Sequence, residues 1–151
     1  MAEAINPGWI GKSCQRKQDS RFLTGRGRYT DDIDLPGMLY GAILGSSHAH
    51  ARIKRVNIEA AAKLAGVFAV LTGEQAVEMS EPLPPVIALP GMRLNKSYAI
   101  AADKVRYVGE PVAAVAAVDR YIAEDALELI EVEYEPLPAI TSIEQALAPD
   151  A

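Results

Sequence analysis

The sequence predicts an α+β fold in which short strands and short helices alternate along one domain. Residues 112–118 are an unbroken run of valine and alanine, too short for a buried helix and typical of a buried central strand. Asp119 follows as a helix cap, before apolar residues at helical spacing. Val132 and Tyr134 then alternate with glutamates, as in a half-buried strand. Strand, helix and strand therefore follow one another within thirty or so residues.

The helix predicted after Asp119 carries Ile122, Ala126, Leu129 and Ile130 on one face, so it should pack on the sheet. Apolar runs and turn residues predict further elements along the chain. These are strands over 38–46, 52–58, 67–71 and 105–108, and short helices over 59–64, after Thr72 and over 142–147 with Ser142 as cap. The loop SHAHA joins the strands over 38–46 and 52–58, which predicts a β-hairpin with a long connection.

Three segments are expected along the chain. Residues 1–37 place glycine and proline between charges, which predicts an extended N-terminal arm with at most short strands. Residues 38–147 form the main domain, and residues 148–151 resemble the beginning of a linker. Four prolines between residues 81 and 91 exclude a helix or a central strand, so this segment should be a surface loop.

Size and charge restrict the class of protein. At 151 residues and 16.2 kDa the chain fits one ordinary domain. No apolar run approaches the roughly 20 residues of a membrane span, and the N-terminus lacks the order of a signal peptide. We therefore expect no membrane span and a cytoplasmic location, consistent with the single cysteine, Cys14. The net charge of −5 argues against nucleic acid as a partner, although basic residues crowd the first 28 positions.

Four groups of residues were weighed as chemical sites. The glycines of TGRGR at 24–28 are not followed by a third glycine opening a helix, so an ordinary turn is favoured over a nucleotide site. Asp31, Asp32 and Asp34 do not meet calcium-loop spacing. Cys14 has no histidine base or oxyanion site indicated near it. The fourth group consists of the two histidines.

His48 and His50 are the only histidines, and their spacing would place both on one side of a strand. Two ligands do not make a zinc site, because a catalytic zinc normally has three protein ligands and a structural one four. Loop histidines with backbone hydrogen bonds are the favoured interpretation. The sequence predicts no metal site and no catalytic residue in this chain.

The turn Gly109-Glu110-Pro111 is the most distinctive short segment, because a carboxylate between glycine and proline should be rigidly presented. It has no partner that would make it a catalyst. Glu110, its two neighbours, His48 and His50 are therefore the candidate contacts with another domain or with a cofactor.

Several short motifs follow one another along nearly the whole chain. They are RKQD at 16–19, FLTGRGRYTDD at 22–32, LPGML at 35–39, SHAHARI at 47–53, GV at 66–67, VRYVGEPVA at 105–113 and VEYEPLP at 132–138. In this order they resemble the N-terminal domain of the molybdenum-binding large subunit of the xanthine dehydrogenase, aldehyde oxidase and carbon monoxide dehydrogenase family, and the first looks most like the carbon monoxide dehydrogenase branch. The chain departs from the family pattern at residues 45–47, at Glu110 where glutamine is frequent, and at Cys14.

The resemblance implies an α/β hammerhead fold. It also implies that this chain binds no cofactor alone, whereas the full assembly holds molybdenum with molybdopterin cytosine dinucleotide. Its partners would be the remaining molybdenum-binding domain and the iron–sulfur and FAD subunits or domains. In this interpretation the chain is a non-catalytic domain or split subunit of a hydroxylase or dehydrogenase, and it scaffolds and docks.

Two other functions stay open at this stage. A stand-alone module with the hammerhead fold, binding a small molecule or a protein, would have its own concave pocket. An enzyme acting by itself is the least favoured, because no nucleophile, base or metal set converges in the sequence.

Overall fold

A computed structural model describes residues 11–87, 89–92 and 96–149 of the chain. It divides into two compact units at the Gly37–Met38 boundary. Within the described residues the strands are β1 Tyr40–Gly45, β2 Ala51–Asn57, β3 Val67–Thr72, β4 Lys104–Val105, β5 Pro111–Ala117 and β6 Glu131–Pro136. The helices are α1 Asp19–Leu23, α2 Glu59–Lys63, α3 Gly73–Met79, α4 Arg120–Glu128 and α5 Ile143–Ala146, with a 3₁₀ turn at Thr30–Asp32.

The first unit differs from the extended arm that the sequence predicted. Residues 11–37 contain α1 and the 3₁₀ turn, and none of them is in a strand. Phe22 and Tyr29 stack with ring centroids 5.6 Å apart, and Asp32 accepts a hydrogen bond from the Tyr29 backbone N–H at 2.8 Å. These local contacts satisfy backbone groups that an extended segment would leave to water. The proposal that this segment is a separate arm stays a prediction.

Two three-stranded antiparallel sheets form the second unit. The first sheet has the order β1–β5–β3, and the second has the order β4–β2–β6. The expectation of a buried central strand after residue 111 is confirmed, because β5 lies between two neighbours and most of its side chains are buried. The mixed α+β class is confirmed as well.

The predicted β-hairpin is wrong. β1 pairs with β5 and β2 pairs with β4 and β6, so the two strands that follow each other in sequence belong to different sheets. The loop at residues 46–50 is the crossing between them. Apolar alternation is similar in many strands, so it does not identify the partner of a strand.

Helix α4 covers one face of the first sheet. Ala113 and Val115 of β5 pack with Ala126 and Ile130 in one buried cluster. The predicted face was correct for Ala126 and Ile130, whereas Leu129 is 38% exposed and Ala123 is buried in its place. A second cluster, in which Val105 and Val112 are fully buried, fills the space behind the second sheet.

The predicted caps are confirmed. Asp119 accepts hydrogen bonds from the first backbone N–H groups of α4, Thr72 forms a capping box with Gln75 at the start of α3, and Ser142 caps α5. The proline-rich segment contains no helix or strand in residues 81–87 and 89–91. The strand predicted over 105–108 is limited to β4, since Tyr107 and Val108 turn outward and are exposed.

Candidate functional site

The Gly109-Glu110-Pro111 turn is bound to the end of β1. The Gly109 N–H donates to the Ser46 carbonyl at 2.8 Å, and the Ser46 N–H donates to the Glu110 carbonyl at 2.9 Å. Gly109 has a φ of +87°, which favours glycine. A Cβ on Gly45 would lie 3.1 Å from the Gly109 Cα, so the two backbones approach closely because both positions are glycine.

The carboxylate of Glu110 is held against the protein rather than in solvent. Its side chain is buried, and one carboxylate oxygen accepts the backbone N–H of Arg106. The other oxygen pairs with the Arg106 guanidinium at 3.0 Å, and that guanidinium also reaches Asp103 at 3.4 Å. The tight turn at Gly109 folds the carboxylate back onto the preceding segment, where two donors offset its desolvation.

The two histidines lie in the loop before β2, and they face different neighbours. The ring of His50 donates from Nδ1 to the Pro138 carbonyl at 2.7 Å, which is the kind of backbone hydrogen bond that the sequence favoured. His48 packs on Tyr134 with ring centroids 4.6 Å apart, and its Nδ1 lies 3.1 Å from the Ser47 hydroxyl. Because the Pro138 carbonyl can only accept, the neutral His50 ring carries its proton on Nδ1.

The histidine loop and the glycine turn therefore form one surface, which we call the corner surface. It consists of residues 46–50, 106–111 and 138–141. An open pocket of about 380 Å³ on it is lined by Ala49, His50, Arg106, Tyr107, Val108, Ala139, Ile140 and Thr141. Tyr107, Val108 and Ile140 are exposed, so the pocket lining is largely apolar, with His50, Arg106 and Thr141 as its polar residues.

Sequence reasoning missed two residues of this surface. Ser46 is buried, accepts the His48 N–H and donates to the His48 carbonyl, both at 3.0 Å. Its position between a strand and a turn was an available signal, since serine hydroxyls bond to nearby backbone. Arg106 was also missed, although it lies four residues before Glu110 across a glycine turn.

A second apolar surface is the outer face of the first sheet, opposite α4. Cross-strand pairing places Gly41 and Ile43 of β1 beside Ala116 and Ala114 of β5, and Ala69 and Leu71 of β3 on their other side. These six residues define the open sheet face. A shallow depression of about 640 Å³ lies over its β5 and β3 part, next to α3.

The outer face of the second sheet is charged. Lys54 of β2 pairs with Glu135 of β6 at 2.6 Å, and the Asn57 amide donates to Glu131 at 3.1 Å. The hydrogen bond from Lys54, followed by the charge of that residue, holds the pKa of Glu135 below its ordinary value. Both members of the ion pair are about half exposed, so this face suits contact with water.

The described residues contain no group of three or more histidine, cysteine, aspartate or glutamate side chains placed to hold a metal ion. Cys14 is exposed and free. None of the helices in residues 11–87, 89–92 and 96–149 combines the length and apolar character that a bilayer span requires.

The fold and its two sheets match a known class of domain. Residues 24–138 match the family described as the a/b hammerhead domain of aldehyde oxidase and xanthine dehydrogenase. That match covers more than half of the chain, so the chain belongs to this family. The resemblance and the hammerhead fold that the sequence suggested are both confirmed.

Individual relatives agree with this assignment. The chain is 46% identical to the carbon monoxide dehydrogenase large chain of Afipia carboxidovorans over 144 residues, which is 93% of this chain and 17% of that protein. The crystal structure of quinoline 2-oxidoreductase from Pseudomonas putida 86 superposes with a TM-score of 0.86 at 45% identity, covering 95% of this chain and 18% of that one. The Cu,Mo-CO dehydrogenase gives 0.83 at 43% identity, with 93% and 17% covered. The chain thus spans about a sixth of the length of these relatives.

Proposed function

We propose that this chain is a non-catalytic hammerhead domain or subunit of a molybdenum-dependent hydroxylase or dehydrogenase, in which it scaffolds the molybdenum site and docks other parts. The observation that carries the proposal is the coverage: the sequence match to a carbon monoxide dehydrogenase large chain covers 93% of this chain and 17% of that protein. A relative of that kind has most of its mass outside the hammerhead, and its chemistry requires more protein than this domain.

The corner surface is the proposed contact with the rest of the assembly. The turn Gly109-Glu110-Pro111 shapes this surface in two ways: its backbone lies close to Gly45, and Glu110 forms an ion pair with Arg106. His50 adds a ring whose Nδ1 is already engaged by Pro138, so its Nε2 is the nitrogen left for a partner donor. His48 packs against Tyr134 and holds the loop in place. The exposed Tyr107, Val108 and Ile140 supply apolar area that an adjoining domain would cover.

The cofactors belong to the full assembly in this proposal. One similar structure is that of a Cu,Mo-CO dehydrogenase, and we extend molybdenum, with molybdopterin cytosine dinucleotide, to the assembly of this chain. Iron–sulfur clusters and FAD are assigned to partner domains or subunits. When bound, such groups carry out the oxidation and remove its electrons. The described residues supply no cluster of metal ligands, so no step is assigned to a cofactor bound by this chain. We place the assembly in the cytoplasm.

The experiment is to purify the native complex through this chain from its source, to measure its mass, and to assay molybdenum and iron. The expected result is a complex several times larger than 16.2 kDa that contains both metals. A metal-free species of the mass of this chain would overturn the proposal.

A stand-alone binding module is the second candidate, and the corner pocket favours it. At about 380 Å³ this pocket falls within the usual range for small-molecule sites. A fragment screen against the purified protein separates the two functions, because a binding module should be stabilised by compounds that fill the pocket. The lack of any stabilising compound would remove this candidate.

A further inference from the structure

The open sheet face has side chains that are unusual for a surface in contact with water. Gly41, Ala69, Ala114 and Ala116 leave a strip without bulk, and Ile43 and Leu71 stand at one end of it. Ile43 is 63% exposed, whereas the same strand on its inner side packs against the core through Leu44. None of the six residues carries a charge, in contrast to the outer face of the second sheet.

Small side chains allow another backbone to approach the sheet closely. Gly41 has no heavy atom within 4 Å of the position its Cβ would occupy, so there is room above it. A helix is about 10 Å in diameter with its side chains, and three strands spaced about 4.8 Å apart form a strip of comparable width. The face therefore has the dimensions to receive one helix.

The area of the face favours a helix from the same polypeptide over one from a separate protein. Three strands of six residues span roughly 15 by 20 Å, or about 300 Å², by ordinary strand geometry. A stable interface between separate proteins needs about 800 Å² from each partner, so this face is too small to hold a second copy by itself. A helix joined covalently to the domain is not subject to that limit, because linkage raises its effective concentration. The relatives have about five sixths of their length outside the matching segment, so such helices have ample chain to come from.

The border of the face constrains its occupant further. Gln75, Glu78 and Met79 of α3 line the depression next to β3 and β5. Met79 is 78% exposed and extends the apolar area, whereas Glu78 offers a negative charge at the border. A helix that is apolar on one face and carries lysine or arginine beside it matches this arrangement.

We infer that the open sheet face binds one amphipathic helix, with a basic residue at its border, contributed by the remainder of the same molybdenum-binding polypeptide. This inference rests on the proposed function, because it needs a longer polypeptide. The corner surface is then left for contacts with other domains or subunits.

Cysteine accessibility in the native complex tests the inference. Ala69→Cys places a thiol on the face, and Ala62→Cys is the matched control at an exposed alanine of α2, each in a Cys14→Ser background. Maleimide labelling is followed at the level of single peptides by mass spectrometry. In a complex that contains molybdenum and iron, the thiol at position 69 should react about tenfold or more slowly than the thiol at position 62.

The outcomes separate this inference from the proposed function. Equal labelling rates in a complex that contains both metals would overturn the inference and leave the proposed function standing. Recovery of a metal-free species of 16.2 kDa would overturn both. If the cysteine variant fails to assemble, hydroxyl-radical footprinting of Ile43 and Met79 in the unmodified complex gives the same answer, and full oxidation at both residues would overturn the inference.

A photo-crosslinker attached at position 69 identifies the occupant. The expected product is a crosslink to a helical peptide of the same polypeptide, with lysine or arginine near the attachment point. A crosslink to another subunit or to a second copy of this chain would overturn the inference.

Discussion

The two sheets of the second unit have the same number of strands, but their outer faces differ in chemical character. The first sheet exposes glycine, alanine, isoleucine and leucine, whereas the second exposes a lysine–glutamate pair and further glutamates. Each sheet packs its inner face on the common interior, where Val112 and Val115 of one strand contribute to the two core clusters. The difference lies only in what faces outward.

Under the proposed function, this contrast indicates which sheet meets water in the assembly. Exposed ion pairs contribute little to stability but are compatible with solvent. An apolar strip without charges gains free energy only when another surface covers it. Under the proposed function a longer polypeptide would cover this strip, since the relatives are about six times as long as this chain.

The largest expected effect comes from a steric clash between two backbone segments, one in each part of the connection between the sheets. Gly73 begins α3 after β3, and a Cβ there would lie 2.0 Å from the carbonyl oxygen of Ala101, in the segment that leads to the second sheet. Gly73→Ala should lower the free energy of unfolding by about 3 kcal/mol, because backbone must move. Urea denaturation measures it. Gly41→Ala is the control, since its Cβ meets nothing within 4 Å, and an equal loss in both variants would show that the steric contact is not the cause.

The next effect concerns the corner surface, which both sheets help to build. Glu110→Ala leaves the Arg106 guanidinium and backbone N–H without their buried acceptor, so the unfolding free energy should fall by about 2 kcal/mol. Glu110→Gln keeps an acceptor oxygen and should cost less than half as much. Thermal unfolding of the three proteins tests this order. Equal stability of Glu110→Ala and the native sequence would show that the ion pair contributes nothing.

A smaller effect is expected from a polar residue on the open sheet face. Ile43→Thr should change the unfolding free energy of this chain by less than about 0.5 kcal/mol, because the isoleucine is largely exposed. Urea denaturation measures this difference. Thr141→Ser provides a control at an exposed site outside the face. A loss of 2 kcal/mol or more in Ile43→Thr would mean that the face is already packed within this chain.

The smallest effect belongs to the charged face and depends on pH. The pKa of Glu135 is lowered in the folded protein, so its ionised form adds stability above the ordinary value of 4.5, and that contribution is lost as the pH falls through the folded pKa. The stability difference between the native protein and Glu135→Gln should therefore shrink as the solution is acidified below pH 4.5. Urea denaturation at a series of pH values checks the trend, and 1 M salt should weaken it. A difference that grows toward acid would contradict the assignment.

Local sequence determined most of the elements. The caps Asp119, Thr72 and Ser142, the apolar run of β5 and the alternation in β6 are each readable within a few residues, because capping and side-chain periodicity are local properties. The ordered motifs likewise identified the family, since each is a contiguous segment of the chain. The same local signals gave the correct histidine loop around His50.

Tertiary structure alone decided which strands pair and which way the candidate residues point. β1 pairs with β5 rather than with β2, because pairing depends on contacts between segments about seventy residues apart, whereas alternation is alike in both strands. Glu110 turns inward because its carboxylate pairs with Arg106 and because the Gly45 and Gly109 backbones lie close together. Neither contact follows from the sequence of the turn. The open sheet face exists only once three strands are placed side by side, so its apolar strip has no signature in any one of them.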